Sequence, residues 1–316
     1  MKNFWKDKKV VITGAAGFIG SHVVKSLLKK DANITAVVSP KTNQRRLRDI
    51  FKNETKNISI KKVDLLDAVA CLKITKGQDI VLNFAAMDGG SKFKQEHSAE
   101  IFRTNIRIVL NMLDAAVANN IDRFLLMSSI EVYSKKTKFP IKEDVSWESS
   151  DGANGYVWSK RFSEIVASMY AKNFGLKIAI ARPGNVYGPG DATGVKKERV
   201  IPTFIHKVLK NETIELFDDG KQRKQFLYID DLVMALLDLV EKYAICSPLI
   251  LAAKEVVTIK KLANVINNLV NNKKIKIPDS NKYKLPFDIT KAKKVINFNP
   301  KTDLLKGLEK TFYYYK

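Results

Sequence analysis

Cysteine is scarce: the 316 residues hold two, Cys71 and Cys246, far apart and in no CxxC pair. A disulfide framework and a thiolate zinc cluster are therefore not expected, and a reducing cytoplasm fits best. The three histidines, His22, His97 and His206, are scattered, so no histidine-built metal centre is expected either. Long apolar runs are missing. The opening stretch MKNFWKDKKVVITG has charges on both sides of a very short apolar pair, unlike a signal peptide, and no later run is long enough to cross a bilayer. Acidic residues are in deficit, 33 against 55 Lys plus Arg, for a formal net charge of +22. Such a balance favours an anionic partner: nucleic acid, acidic membrane or a phosphorylated small molecule. The lysines are spread along the whole chain, without an arginine-rich tail, zinc-finger spacing or an aromatic–basic RNA-binding signature. Neither nucleic acid nor membrane is expected as a partner.

What is present is alternation. A 45% hydrophobic content is enough for a real core. Short apolar runs at 9–13 (KVVIT), 34–38 (ITAVV), 58–63, 80–84 (IVLNF), 124–128 and 177–181 (KIAIA) read as strands. Helix-like stretches at 19–30, 99–119 and 156–173 lie between them. Strands alternating with helices imply βαβ units and a parallel sheet covered on both faces. The run IAIARPGNVYGPGD breaks the pattern with Pro183, Gly184, Gly188, Pro189 and Gly190, which marks loops and a second region. QFLYIDDLVMALLDLV reads as one more strand and a helix with an aspartate as N-cap. The expected fold is α/β: a doubly wound parallel-sheet (Rossmann) domain over 1–182 and 225–245, with a smaller C-terminal α/β substrate region over 183–224 and 246–316.

VVITGAAGFIGSHVV places Gly14, Gly17 and Gly20 directly after the first strand, opening a helix. Glycines there permit a tight turn and a close approach of backbone N–H groups to a pyrophosphate, to which the helix N-terminus adds partial positive charge. One glycine triplet is a weak signal, but at the first βα junction of an alternating chain it is in its confirming context. Selectivity for NAD usually rests on an acidic residue about 20 positions further on. Here the second strand ends in Val38, Ser39 and Pro40, followed by Lys41, Arg45 and Arg46. A serine with nearby cations suits a 2′-phosphate, so NADP is favoured over NAD, with Ser39 and Arg45 as its contacts.

NGYVWSKRFSE sets Tyr156 and Lys160 four residues apart, one above the other on a helix face. Trp158, Phe162, Ile165, Val166 and Met169 would mark the buried side. A free phenol titrates near 10 and is a poor base at neutral pH. A neighbouring ammonium and a positive nicotinamide ring would favour the phenolate.

With these segments in view the chain resembles the extended short-chain dehydrogenases/reductases that act on nucleotide sugars. The resemblance runs over nearly the whole length, through TGAAGFIGSH, VDLLD, NFAAMDGG, SSIEVY, GYVWSKR, RPGNVYGPGD, RVIPTFI, QFLYIDDL and DITKAKKVINFNP. It implies a catalytic set of Ser129, Tyr156 and Lys160, in which Tyr156 takes the proton of a sugar hydroxyl, typically at C4, as hydride passes to the nicotinamide. It places Phe18, Ile19, Asp64, Leu65, Asn83, Ala85, Ala86 and Pro183 along the cofactor, with Asp64 and Leu65 near the adenine. Asn185, Arg199, Arg223 and Lys224 would meet the substrate, the last two at its diphosphate. A homodimer is implied through the helices at 99–119 and 156–173.

Glu131 decides between branches. AAMDGG and GPGDATGVKKERVIPTFI look most like the GDP-sugar branch, which includes GDP-fucose synthase and GDP-mannose 3,5-epimerase. Those enzymes carry cysteine where this chain has Glu131, and GDP-fucose synthase carries histidine where it has Arg199. The order Ser129, Ile130, Glu131 instead resembles dehydratases and decarboxylases, in which the glutamate removes the acidified C5 proton as general base. Ile130 occupies the place of the residue that protonates a departing hydroxyl, and it cannot do so. The expected function is a nucleotide-diphosphate-sugar epimerase acting through a 4-keto-sugar, on a GDP-hexose or related GDP-sugar. The alternatives are a 4,6-dehydratase, a C4 oxidoreductase that releases the 4-keto sugar, or a non-catalytic sensor or nucleic-acid binder of the same fold. A surface pairing of Glu131 with Lys135 or Lys136 is the plainer reading of that carboxylate.

Overall fold

The structure is a computed structural model that describes residues 3–51, 56–134, 136–145, 152–191, 199–270 and 286–316. Lys135 and the 192–198 part of the GPGDATGVKKER segment lie outside the described residues, as does the side chain of Arg46.

The apolar runs become strands because both faces of each are covered. The chain begins β1 (Lys9–Thr13), α1 (Phe18–Leu28), β2 (Asn33–Val38), α2 (Gln44–Phe51), β3 (Ile58–Lys62), α3 (Ala68–Thr75) and β4 (Ile80–Asn83). It continues α4 (Ser91–Glu96), α5 (Ser98–Ala118), β5 (Arg123–Met127), α6 (Gly155–Phe174) and β6 (Lys177–Pro183). Successive strand side chains point to opposite faces. Val10 and Ile12 of β1 accordingly join one core cluster and Val11 the other; Leu125 and Met127 of β5 separate likewise from Phe124 and Leu126. Each fully buried side chain of this kind contributes about 1.5–3 kcal/mol.

The remaining elements are β7 (Asn185–Tyr187), α7 (Val200–Leu209), β8 (Arg223–Lys224), β9 (Phe226–Tyr228), α8 (Ile229–Lys242), β10 (Pro248–Leu251), β11 (Val257–Thr258), α9 (Ile259–Val270), α10 (Thr290–Ile296) and α11 (Leu304–Tyr315). Seven parallel strands run in the order β10-β6-β5-β4-β1-β2-β3. The order reverses between β1 and β4, and a ligand crevice is expected at the carboxyl ends there. Two small sheets stand apart, β7 with β9 and β8 with β11.

The structure departs from the sequence reading in three places. Residues 248–251, which the sequence reading put in the substrate region, form β10, the edge strand beside β6. The N-cap of α8 is Tyr228, not an aspartate; Asp231 lies in the first turn and accepts the N–H groups of Lys301 and Thr302, both at 2.9 Å. On α6 the apolar stripe faces outward: Phe162, Ile165 and Met169 are 43%, 41% and 56% exposed. The face turned inward carries Tyr156, Ser159, Lys160, Ser163 and Ala167. Among the described residues no helix is long and apolar enough to cross a membrane, and no group of His, Cys, Asp and Glu could hold a metal ion.

Candidate active site

A cleft of about 1440 Å³ opens where the strand order reverses. Its floor is the β1–α1 turn. Gly14 has a φ of +64°, and a Cβ on Gly20 would stand 2.3 Å from the Gly14 carbonyl oxygen, so the first turn of α1 can lie this close only with glycine. Thr13 Oγ1 donates to Asn83 Oδ1 at 2.6 Å and accepts from the Ala85 N–H at 3.1 Å, which locks the end of β1 to the end of β4. The cradle fits a dinucleotide pyrophosphate: glycine backbone at the start of an 11-residue helix whose N-cap is Gly17.

At the end of β5, Ser129 caps a short turn, its Oγ accepting the Glu131 N–H at 3.0 Å. Tyr156 and Lys160 face it from the first two turns of α6. That helix begins where Asn154 accepts the Val157 N–H at 3.2 Å and the Gly155 N–H reaches Ser98 Oγ at 2.7 Å. Ser129 hydrogen-bonds the Tyr156 phenol. The Lys160 ammonium donates to the Met127 carbonyl at 2.7 Å and lies 5.6 Å from the phenol ring centre. Burial pushes Tyr156 well above its ordinary value, and the carboxylates of Asp88 and Glu131 add to this against Arg199 and the Ser129 hydrogen bond. Burial also lowers Lys160, to about 8.

The partner of Glu131 is Lys94, 37 residues earlier on α4. Its ammonium donates to both carboxylate oxygens, at 2.8 and 3.0 Å, and stands 3.3 Å from Asp88 Oδ1. The same ammonium lies over the Tyr156 ring, 3.7 Å from its centre. Arg199 reaches Asp88 and Asp191, each at 3.5 Å. Lys224 faces Glu131 electrostatically from β8 and is itself lowered by burial. Nothing in the sequence marks Lys94 among so many lysines, because its burial comes from the fold of the α4 loop. Asn105 was missed for the same reason. It clamps the backbone of Met87, accepting its N–H at 2.7 Å and donating to its carbonyl at 3.1 Å, and so holds the loop that carries Asp88.

Gly14, Gly17, Phe18, Ile19, Gly20, Ser39, Asp64, Leu65, Ala85, Ala86 and Pro183 line the cleft, as do Ser129, Glu131, Tyr156, Lys160, Asn185, Arg199 and Lys224. Three residues singled out from the sequence lie outside that lining. Asn83 is buried beneath the cradle, Arg45 is an exposed residue of α2, and Arg223 is exposed on β8. At the end of β2 the lining runs on through Pro40, Lys41, Thr42 and Asn43, with no carboxylate among them.

Under the carboxyl end of β5 lies a buried ionic layer. Arg182 of β6 donates to Glu164 of α6 at 2.9 and 2.6 Å, to the Tyr133 hydroxyl at 2.6 Å and to the Glu143 carbonyl at 3.0 Å. Ser128, next to Ser129, donates to the same glutamate.

A model of the "NAD dependent epimerase/dehydratase family" matches residues 10–248. A dTDP-4-dehydro-6-deoxy-D-allose reductase of a Streptomyces species is 33% identical over 99% of this chain and 97% of its own. GDP-mannose 3,5-epimerase 1 of Oryza sativa subsp. japonica is 30% identical over 84% of this chain and 70% of its own. Among solved structures, UDP-glucuronic acid 4-epimerase of Bacillus cereus in complex with NAD superposes with a TM-score of 0.81 at 25% identity, covering 97% and 96% of the two chains.

Proposed function

The chain belongs to the NAD dependent epimerase/dehydratase family, and from that membership we propose that it reduces the C4 ketone of a nucleotide-diphosphate sugar, using NADPH. Relatives of this chain act on dTDP-, GDP- and UDP-sugars alike, so the family frames the substrate as a nucleotide sugar. The observation that carries the reductase reading is the Ser129, Tyr156 and Lys160 group brought together along one cleft. When bound, the cofactor supplies a hydride to C4. Ser129 holds the C4 oxygen, and Tyr156 gives that oxygen its proton as the ketone becomes an alcohol. The phenolate left behind is stabilised by Lys160 and regains a proton from solvent. The whole-length similarity to a reductase of a 4-dehydro sugar supports the same direction.

A second reading is epimerisation of a GDP-hexose by way of a 4-keto intermediate. It is favoured by the Glu131 carboxylate in the cleft beside Tyr156 and by the similarity to GDP-mannose 3,5-epimerase. Dehydration finds less support, since Ile130 offers no proton to a leaving hydroxyl. For the cofactor, the support for NADP is the carboxylate-free end of β2, although the B. cereus relative holds NAD. Arg223 and Lys224 remain our proposed diphosphate contacts, on a substrate region built around residues 183–224 and the chain beyond β10. The exposed stripe on α6, continued by the edge-to-face pair of Phe102 and Phe162, supports a homodimer through α5 and α6. The separated cysteines support a cytoplasmic setting.

The test is a panel of dTDP-, GDP- and UDP-4-keto-6-deoxyhexoses in D2O with NADPH or NADH. Consumption of reduced cofactor and a product heavier by the hydride and proton are expected. Tyr156→Phe should lose about 10²–10⁴-fold in rate. No cofactor consumption with any sugar would sink the proposal. Unchanged composition with carbon-bound deuterium would establish the second reading.

A further inference from the structure

Building on the reductase reading, we propose that Lys94 is a positioning residue that decides the outcome of the reaction. By occupying both oxygens of Glu131, it keeps that carboxylate from acting as a base at the carbon beside the C4 ketone.

A 4-keto sugar has acidified hydrogens on the carbons flanking C4. Glu131, two residues after Ser129, lines the same cleft beside Tyr156. Were Glu131 to act, the C–H bond would break, the proton would move to a carboxylate oxygen and the electron pair would pass into an enolate ending at O4. Reprotonation from the other side would give the epimer with no net redox change. Lys94 competes with that transfer. Its ammonium already donates to both oxygens, at 2.8 and 3.0 Å, as charge-assisted hydrogen bonds.

The lysine is also built into place. Its side chain is 10% exposed, and lysines are almost never buried unless paired. Its ammonium packs on the Tyr156 ring, 3.7 Å from the centre, and stands 3.3 Å from Asp88 Oδ1. A surface ion pair has none of these supports. Lys94 thus binds the two acid–base side chains of the cleft into one arrangement: Tyr156 free to give its proton to O4, Glu131 occupied. Lys224, facing Glu131 from β8, would keep one cation near the carboxylate in a Lys94 variant.

The experiment has two parts, both on the full chain. Treatment with a carbodiimide should join Lys94 to Glu131 through an amide, with loss of water, visible in peptide mass spectrometry. If no such cross-link forms, the pairing is wrong and the proposal falls. Next, wild type, Lys94→Met and the Lys94→Met/Glu131→Gln double variant are incubated with a dTDP-4-keto-6-deoxyhexose in D2O. No reduced cofactor is added, so hydride transfer plays no part. Wild type should leave the carbons flanking C4 unlabelled. Lys94→Met should exchange them faster by about 10²-fold or more, the usual effect of a placed base, and the double variant should lose that gain. A merely structural role for Lys94 would not create a carbon-exchange activity that depends on Glu131. Equal exchange in wild type and Lys94→Met overturns the proposal, as does rapid wild-type exchange that Lys94→Met abolishes. If exchange responds as expected but NADPH reduces no 4-keto sugar, the reductase reading fails while the role of Lys94 stands.

Discussion

Replacing Lys160 by methionine should remove a stability cost that this buried lysine imposes on the fold, and the cost can be worked out from the structure. Lys160 is buried, 8% exposed, with a pKa lowered to about 8 from an ordinary 10.5. One pH unit corresponds to about 1.4 kcal/mol, so the protonated lysine costs the native state about 3 kcal/mol at pH 7. The sign follows from proton binding. Between about pH 8 and 10.5 the unfolded chain still holds the proton that the folded protein has released, so wild-type stability rises with pH across that window. Above it both states are neutral at this residue and the cost is gone. Lys160→Met also strips the Met127 carbonyl of its donor, a pH-independent loss of about 1–3 kcal/mol. The absolute difference at pH 7 is therefore small, and its pH dependence is the readout. Urea unfolding of both proteins without added cofactor should show the advantage of Lys160→Met falling by about 3 kcal/mol from pH 7 to above 10.5, other titrations cancelling between them. A difference flat to within about 0.5 kcal/mol would refute the reasoning.

Glu164→Gln leaves the Arg182 guanidinium buried without its carboxylate and should cost about 3–5 kcal/mol in urea unfolding; a loss below about 1 kcal/mol would mean the pair is not desolvated as its 4% and 7% exposures imply. Gly20→Ala forces a Cβ against the Gly14 carbonyl, so a loss of about 1–3 kcal/mol is expected, with weaker NADP(H) binding in calorimetry. Ser39→Asp, which places a carboxylate at the end of β2, should weaken NADPH by about tenfold or more relative to NADH; unchanged relative affinities would remove Ser39 from cofactor selection. Ile165→Asp with Met169→Lys should convert a dimer to monomer in sedimentation, and an unaltered mass would place any interface elsewhere.

Much of the architecture was legible in the chain because it depends on near neighbours. Apolar runs of strand length, separated by helical stretches, forecast six of the seven sheet strands to within a residue or two. The seventh, β10, was missed as a four-residue run that only its partner β6 makes into a strand. Gly14, Gly17 and Gly20 point to a phosphate cradle through their place directly after the first strand, at the opening of a helix. Tyr156 and Lys160 declare a shared helix face, and both line the cleft with Ser129.

What the sequence by itself determined, then, was the βαβ order, the glycine turn and the shared helix face of Tyr156 and Lys160, all set by spacings of a few residues. Three matters were decided only by tertiary structure. The apolar stripe of α6 points outward because the same helix must turn Tyr156 and Lys160 toward the cleft, and a helix has only one inward face. The phenol is pushed up because burial and the carboxylates of Asp88 and Glu131, from two other loops, outweigh Arg199 and the Ser129 hydrogen bond. Glu131 pairs with Lys94 and not with a near neighbour because the α4 loop folds back over the end of β5. Desolvation and long-range charge depend on which segments meet, and local spacing carries no record of that.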